Sequence, residues 1–528
     1  MKKLVILSLV FLSAASCKGF LQEDNMTKYS IDYIYSTPEG LKLAVNALYD
    51  KDRNFMSESS ENSTYTALIR GTDLVTTNGG TGNFYGIYDP NYLKPSATQV
   101  DFLWKSMYSL IGSCNEIIYS GEKLGDDDPA VRLCIAEAKC FRAQSYFHLF
   151  RVYDRIWLNT VPTTPGNLNQ EREFYPASQR EVFDLIYSDL NYAIKVLDWT
   201  SYQPGRFNQA AARHLLAKAA LWIKDWDTTL AQVDSIDTSG KYSLVDVDKV
   251  FYGAQLNHSE ALLVQEWSTE LGGSLSTTSP KGHYLASLFI ALYRQEIGGT
   301  NEEACSYENY GFTYGRCLVS PYLLSLYDQS RDKRYSDWYV FKYKNTTENT
   351  ISVGGIAVRP GDYLPSRNSK GELIRNLMPG CLKYADIWTR EPYEARSCKD
   401  IIVYRLGETY IMGAEAALMK GNQTKARYYY NKTWMRAGNS EFRGSLTIKN
   451  IIDEQARELA FEGDRWFFLK RRGILIEQVK NYAGNPEYAP SILGRTNLPA
   501  NPHMVRWPIP ESEIINMGAD TFPQNPGY

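Results

Sequence analysis

Ser178-Gln179-Arg180-Glu181-Val182-Phe183-Asp184-Leu185-Ile186 opens the stretch on which the fold turns. A serine followed three residues later by a glutamate is a capping box, in which each side chain satisfies a backbone N–H at the start of a helix. Beyond it Val182, Phe183, Ile186, Leu190, Ala193, Ile194 and Leu197 recur at the 3.6-residue helical period, so the segment predicts an amphipathic helix. Asn208 is placed to cap a second helix, whose apolar face runs through Ala212, Leu215, Leu216, Ala219 and Trp222. Lys224-Asp225-Trp226 then interrupts the pattern before a further helical stretch through Ile236.

The helix pair repeats outward along the chain. One pair covers 101–124 and 129–158, another 400–420 and 424–437, and a last helix is expected over 448–472. Leu406-Gly407-Glu408-Thr409-Tyr410 reads as the L-G-x-x-Y of a tetratricopeptide helix, with Val403 where that motif has Trp. Ala211, Ala219, Ala414, Ala416 and Ala417 let helices approach closely. The expected fold is mainly α: tetratricopeptide-like helix pairs form one superhelical scaffold, over 30–56, 101–158, 178–237 and 400–472, with long irregular loop insertions and a few short strands. Trp104, Trp222, Trp226 and Trp466 fall on helical patterns and are assigned to the core. The insertions, 57–98 and 266–400, are rich in Gly, Ser, Thr, Asn, Pro and Tyr, with strand-like runs such as Ile351 to Val358. Loops of that length in a compact chain are usually functional or disordered, and their aromatic content argues against disorder.

Composition narrows the function. The 528 residues carry 57 Lys+Arg and 60 Asp+Glu, a net charge of −3, so no basic field exists for a nucleic-acid backbone and no nucleic-acid partner is expected. Tyr, at 39, outnumbers Gly at 37, which points to a use for flat amphipathic rings. At the amino end Lys2 and Lys3 precede an apolar run from Leu4 to Leu12, then small residues ending at Cys17. This pattern reads as an export signal over 1–16, with Cys17 as the lipidated first residue of a lipoprotein. Acyl chains at Cys17 would then hold the remaining chain, 17–528, read as one domain, to the membrane. The apolar run is far short of the roughly 20 residues that span a bilayer. Cys114, Cys134 and Cys140 lie in helical patterns and are read as core; Cys305 with Cys317, and Cys381 with Cys398, could pair. The five histidines are scattered and no zinc-type cysteine spacing occurs, so neither a metal site nor a cofactor is expected. Asp126-Asp127-Asp128 reads as a solvated turn before Pro129.

Near the carboxyl end the residues become specific. Glu458-Leu459-Ala460-Phe461-Glu462-Gly463-Asp464-Arg465-Trp466-Phe467-Phe468-Leu469-Lys470-Arg471, then Pro508-Ile509-Pro510-Glu511-Ser512-Glu513-Ile514, then Gln524-Asn525-Pro526-Gly527-Tyr528, together resemble the SusD/RagB family. The resemblance extends through Cys17 with Phe20-Leu21, Glu137-Ala138-Lys139 to Tyr146-Phe147, Ser320 to Arg334, and Tyr404-Arg405 to Glu415-Ala416. It departs at Gln455, where the family usually has Arg, and at Phe468, where it has Asp. The resemblance implies a surface lipoprotein of the outer membrane that captures glycan and sits as a lid on a SusC-like TonB-dependent transporter. It implies no enzyme. Glu458, Glu462 and Arg465 are then structural, a helix-end charge network, and the terminal Pro-Gly-Tyr is a packed tail. RagB-like members suggest peptide import as an alternative ligand class, and a non-binding scaffold is a third reading.

Ligand contacts follow from sugar chemistry. A sugar ring presents an apolar C–H face and a rim of hydroxyls, which calls for flat aromatics with Asp, Asn or Arg at the edge. The first stretch that supplies both contains Arg70, Asp73, Asn78, Asn83, Phe84, Tyr85, Tyr88 and Tyr92. The second contains Tyr284, Tyr307, Asn309, Tyr310, Phe312 and Tyr314, with Trp338, Trp388 and Arg390 beyond. The glycan-binding candidates are therefore Arg70, Asp73, Asn83, Phe84, Tyr85, Tyr88, Tyr284, Tyr310, Tyr314, Trp338, Trp388 and Arg390. About a third of them are expected to touch ligand, since few residues dominate most sites. No nucleophile elbow, zinc-protease motif or phosphate loop is present, and carboxylates for glycoside hydrolysis cannot be paired from sequence.

Overall fold

The computed structural model describes residues 31–57, 64–76, 86–125, 127–163, 167, 170, 172–270, 282–484 and 501–528. Cys17 and the export signal lie outside them. The scaffold is a run of antiparallel helices: α1 (Pro38–Ser57), α2 (Thr98–Leu124), α3 (Pro129–Tyr153), α4 (Gln179–Val196), α5 (Gln209–Trp222), α6 (Trp226–Thr238), α7 (Leu406–Met419) and α8 (Gln423–Arg436). From α2 to α8 each packs on the one before it, although some 170 residues of chain (239–405) separate α6 from α7. This is the stacked, tetratricopeptide-like superhelix that the periodicity predicts. Its starts obey the local chemistry: Ser178 and Glu181 form the capping box, and the Asn208 side chain accepts from the Ala211 N–H. Gly413 faces Tyr429 and Val233, where a Cβ would sit 2.8 Å from either side chain, so α6, α7 and α8 can close on one another.

The structure corrects three boundaries. Residues 401–405 are not the start of a helix. Ile401–Arg405 forms β2, antiparallel to β1 (Ala261–Gln265), with Val264 opposite Ile402; the β-branched run Ile-Ile-Val suits a pleated, buried edge better than a helical turn. The helix expected over 129–158 stops at Tyr153, because Asp154 takes a left-handed φ of 62° and uses its carboxylate to bind Lys470. The last helix is two, α9 (Ile448–Leu459) and α10 (Arg465–Arg471). Between them Phe461 (φ 68°) and Gly463 (φ 86°) reverse the chain. A Cβ on Gly463 would lie 2.5 Å from the Tyr65 ring, so this turn requires glycine.

That break positions a buried charge network. Glu458 is fully buried and its carboxylate accepts from Arg405 (2.6 Å), Arg334 (2.7 Å) and Arg436. Burial alone would raise its carboxyl; Arg436, Arg405 and Arg334 override it and hold the group well below the usual carboxylate range. Glu462 pairs with Arg405 and Lys383, and Glu260, Glu454 and Asp332 complete the cluster with Arg457. Gly407 explains itself here: a Cβ would stand 2.3 Å from the Arg405 guanidinium and 2.9 Å from Glu458 Oε1. Arg465, expected in the same network, turns away to Asp73 and also donates to Gln455 Oε1 at 2.7 Å, so the departure at Gln455 is absorbed as a hydrogen bond from the guanidinium to a neutral amide oxygen. The terminal tail packs as expected: Asn525 Nδ2 donates to the Tyr153 and Trp507 carbonyls, and the Tyr528 hydroxyl to the Arg506 carbonyl.

The remaining loops form a second, smaller apolar cluster around Ile290, Tyr293, Tyr343 and Leu377, and the run at 351–358 is a hairpin turning at Gly354 and Gly355. No disulfide joins Cys305 to Cys317 or Cys381 to Cys398; all four are buried and pack as small apolar groups. Trp104 and Trp466 are core, as expected, whereas Trp222 and Trp226 are only half-buried against it.

One half-buried acid carries a pH signature. Asp52, on α1, accepts hydrogen bonds from Gln144 Nε2 (2.9 Å) and Gln265 Nε2 (3.0 Å), while Gln265 Oε1 has no partner. Desolvation raises the Asp52 carboxyl to about 6, against the two glutamines and Arg53, which lower it. A carboxyl raised in the folded state stabilises the fold fully below its unfolded value and loses that contribution as pH rises through about 6. Asp52→Asn is expected to raise stability at pH 7.5 by about 2 kcal/mol. The new amide keeps the Gln144 bond and, once the Gln265 amide turns over, donates to its orphan oxygen. Denaturant midpoints of both proteins between pH 4 and 8 test this; a variant less stable than wild type at pH 7.5 would refute it.

Candidate functional site

The loops after α6 and around residue 385 enclose a cleft of about 300 Å³, walled by Phe251, Tyr252, Tyr310, Trp338, Ile387 and Trp388, with Asp248 and Asp337 at its polar edge. Trp388 and Tyr252 are its exposed rings, 40% and 63% accessible, with centroids 5.3 Å apart and planes at 74°. Two open aromatic faces set at an angle form a bent platform rather than a flat one. Exposed rings of this size are costly to leave in water unless something covers them.

Each wall is held from behind. Asp386 Oδ1 accepts from the backbone N–H groups of Trp388 (2.9 Å) and Thr389 (3.0 Å), and Ser397 donates to Oδ2 (2.7 Å), which locks the Trp388 turn. Burial would raise the Asp386 carboxyl, but these bonds hold it below its ordinary value. Lys399 lies beneath the Trp388 ring and donates to the carbonyls of Phe251 and Ala385, tying the two sides of the cleft together; burial pushes its ammonium down to about 7 despite nearby Asp386. Trp338 is the floor: 2% exposed, its Nε1–H donates to the Val247 carbonyl and Lys383 backs its ring at 4.2 Å.

Tyr310 reaches the cleft through a left-handed backbone, φ 65°, at the end of the short turn Tyr307–Asn309. For a tyrosine that conformation costs on the order of 1 kcal/mol, and strain of this kind concentrates where a side chain must be aimed. Tyr310→Gly relieves that strain but removes a ring half-buried against the second apolar cluster, so it is expected to lower unfolding stability by about 1 to 2 kcal/mol while weakening ligand binding severalfold. Parallel denaturation and titration check it, and a variant that binds normally would remove Tyr310 from the site.

The cleft gathers Tyr310, Trp338 and Trp388 from the sequence candidates and not the others. Asn83, Phe84 and Tyr85, with Asn78, lie outside the described residues. Arg70, Asp73 and Tyr88 are buried elsewhere: Asp73 is clamped by Arg465 through two bonds of 2.9 and 2.6 Å, and the Tyr88 hydroxyl donates to the Gly71 carbonyl. Arg390 is a strut, 5% exposed, whose guanidinium donates to Ser287 Oγ and to the carbonyls of Tyr310, Phe312 and Glu394. Its planar fork meets backbone rather than sugar. Tyr284 and Tyr314 lie 6.2 Å apart with their planes tilted at 57°, in a separate ring cluster with Phe312. Tyr307 is exposed, its hydroxyl on the Arg390 carbonyl, and Asn309 is buried against Lys344. The sequence reading missed Tyr252, Phe251 and Asp248, which fall between the scaffold and the loop windows. Their signal is an aromatic pair followed by Gly253 in a stretch without helical period.

Among the described residues no group of three or more His, Cys, Asp or Glu side chains could hold a metal ion, and no helix is long and apolar enough to cross a membrane.

Residues 298–528 match the SusD family, and residues 23–221 match a related family described as starch-binding associating with outer membrane. The SusD-like protein P2 of Formosa agariphila is 23% identical over the full length of both chains, and a SusD-like protein of Bacteroides ovatus is 25% identical over 88% of this chain and 81% of its own. A solved laminarin-binding SusD-like protein superposes with a TM-score of 0.68 at 21% identity, covering 93% of this chain and 99% of that one. A SusD homologue of Bacteroides thetaiotaomicron superposes with a TM-score of 0.73 at 18% identity, covering 95% and 99%. With 23–221 and 298–528 both matched and SusD-like relatives aligned along the chain, the chain belongs to the SusD/RagB-like family.

Proposed function

We propose that this protein is a cell-surface, lipid-anchored glycan-capture protein that holds oligosaccharide in the Trp388–Tyr252 cleft and passes it to a SusC-like TonB-dependent outer-membrane transporter. The observation that carries the reading is the bent aromatic platform, two exposed rings over a fixed Trp338 floor, with carboxylates at its edge. A pyranose laid on Trp388 buries its C–H face, and Asp248 and Asp337 accept from the rim hydroxyls. Cys17 as the anchor and the single 17–528 domain follow the sequence reading alone, and the outer-membrane location is supported by the description of the family matched over 23–221. The laminarin-binding relative and the surface glycan-binding protein A of Bacteroides fluxus support a glycan as ligand.

Capture needs no bond-breaking. The walls are preformed by Asp386, Lys399 and the Trp338 contacts, so little ordering accompanies binding; desolvation of hydroxyls offsets much of the stacking, and affinity for a short oligosaccharide should be about micromolar to millimolar. Tethering near the transporter then supplies retention through local concentration. Titration calorimetry of the whole chain against oligosaccharides and peptides, with product analysis of each mixture, tests the reading. Saturable oligosaccharide binding without cleavage is expected. Peptide binding alone would turn the assignment to peptide import, and released sugar products would make the protein an enzyme.

A further inference from the structure

We infer that the cleft selects uncharged sugar chains and excludes glycans bearing uronate or sulfate groups, an inference that rests on the glycan-capture reading and names the ligand class. The cleft lining holds two carboxylates, Asp248 and Asp337, and no lysine or arginine among the described residues. Asp248 is exposed at the mouth, and Asp337 is half-buried with Ser336 Oγ donating to it. A neutral sugar hydroxyl can donate to either carboxylate; a uronate or sulfate brings acceptors and like charge to the same place.

Every neighbouring cation but Lys249 is committed away from the cleft. Lys249 is exposed at the mouth, 5.1 Å from the centre of the Tyr252 ring, and pairs with Asp248 at 3.1 Å, so its charge is matched there by the acid and Asp337 is the unpaired carboxylate of the lining. Lys399 is spent on backbone carbonyls behind Trp388, and Lys383 on Glu462 and the Glu458 carbonyl behind Trp338. Arg405 and Arg436, which flank the far side of the same indole, are held by Glu260 and Glu458, and Arg390 donates to carbonyls and Ser287. Anion recognition ordinarily uses a guanidinium fork or oriented backbone N–H groups. Here the faces offered to ligand are electron-rich rings, which also disfavour an anion.

The test follows the Trp388 indole N–H by NMR in the whole chain. Methyl glycosides of neutral hexoses are compared with the matching uronates, and one neutral oligosaccharide with its sulfated form, at 20 mM and 500 mM salt. Neutral sugars should shift the resonance with affinities at least about tenfold tighter than their anionic counterparts at low salt, and the gap should narrow at high salt. Replacing both acids, Asp248→Asn with Asp337→Asn, should close the gap with an unchanged unfolding midpoint. Equal or tighter uronate binding, or a gap that survives the double replacement, would overturn the inference while leaving glycan capture standing. Silence from every sugar would overturn the capture reading itself, and this inference with it.

Discussion

Glu458→Ala is expected to remove about 4 kcal/mol of folding stability, a large share of the roughly 5 to 15 kcal/mol of an ordinary domain. The carboxylate sits where Arg334, Arg405 and Arg436 converge, all of them nearly or fully buried. Around it five acids, Asp332, Glu260, Glu454, Glu458 and Glu462, balance five bases, Arg334, Arg405, Arg436, Arg457 and Lys383. Removing one acid leaves buried positive charge uncompensated, and water cannot enter to replace it. Glu458→Gln keeps the volume and two hydrogen-bonding atoms but not the charge, so it should fall between alanine and wild type. The sign with pH is also set. A carboxyl held below its unfolded value stabilises the fold above that value and loses the contribution as pH falls through the folded one. Glu458 therefore favours the fold at neutral pH, opposite to Asp52, and the glutamine variant should lose less stability than wild type on acidification. Denaturant midpoints followed from pH 7.5 down to about pH 2.5 decide the matter; a wild-type midpoint for Glu458→Ala at neutral pH would show that the network is not structural.

Trp388→Ala is expected to weaken oligosaccharide binding by about thirtyfold or more, the loss of a central aromatic hot spot, with little change in stability. The ring is 40% exposed and the bonds that fix its turn are made by backbone N–H groups to Asp386, which alanine retains. Stability and binding thus separate at this residue, as they do not at Trp338, whose indole is also a structural wall. Trp388→Phe keeps a smaller face and should recover part of the affinity. Titration of the three proteins with the same oligosaccharide gives the answer, and undiminished binding by the alanine variant would move the ligand away from this cleft.

The scaffold was legible in the sequence because its determinants are local. Capping at Ser178 and Asn208, the 3.6-residue period and the small residues at helix contacts act over one or two turns, and each reappears in the structure. The site was legible only in outline. Arg70, Asp73 and Arg390 look alike in sequence to ligand-binding residues, since a charged group among loop aromatics suits a sugar rim and a buried ion pair equally well. Arg465, 392 positions away in the chain, claims Asp73, and the carbonyls of Tyr310 and Phe312 in one loop and of Glu394 in its own loop claim Arg390.

By itself, then, the sequence determined the helical class, the helix pairing, the family and the aromatic character of the loops, since propensity, capping and motif spacing are written within a few residues of one another. Only the tertiary structure decided which rings stay open to solvent. Trp388 and Tyr252, 136 residues apart, become one platform because Lys399 and Asp386 hold their loops together from behind, and Trp338 becomes its floor because Val247 takes its indole N–H. Exposure is a property of what packs behind a side chain, and those partners come from distant parts of the chain.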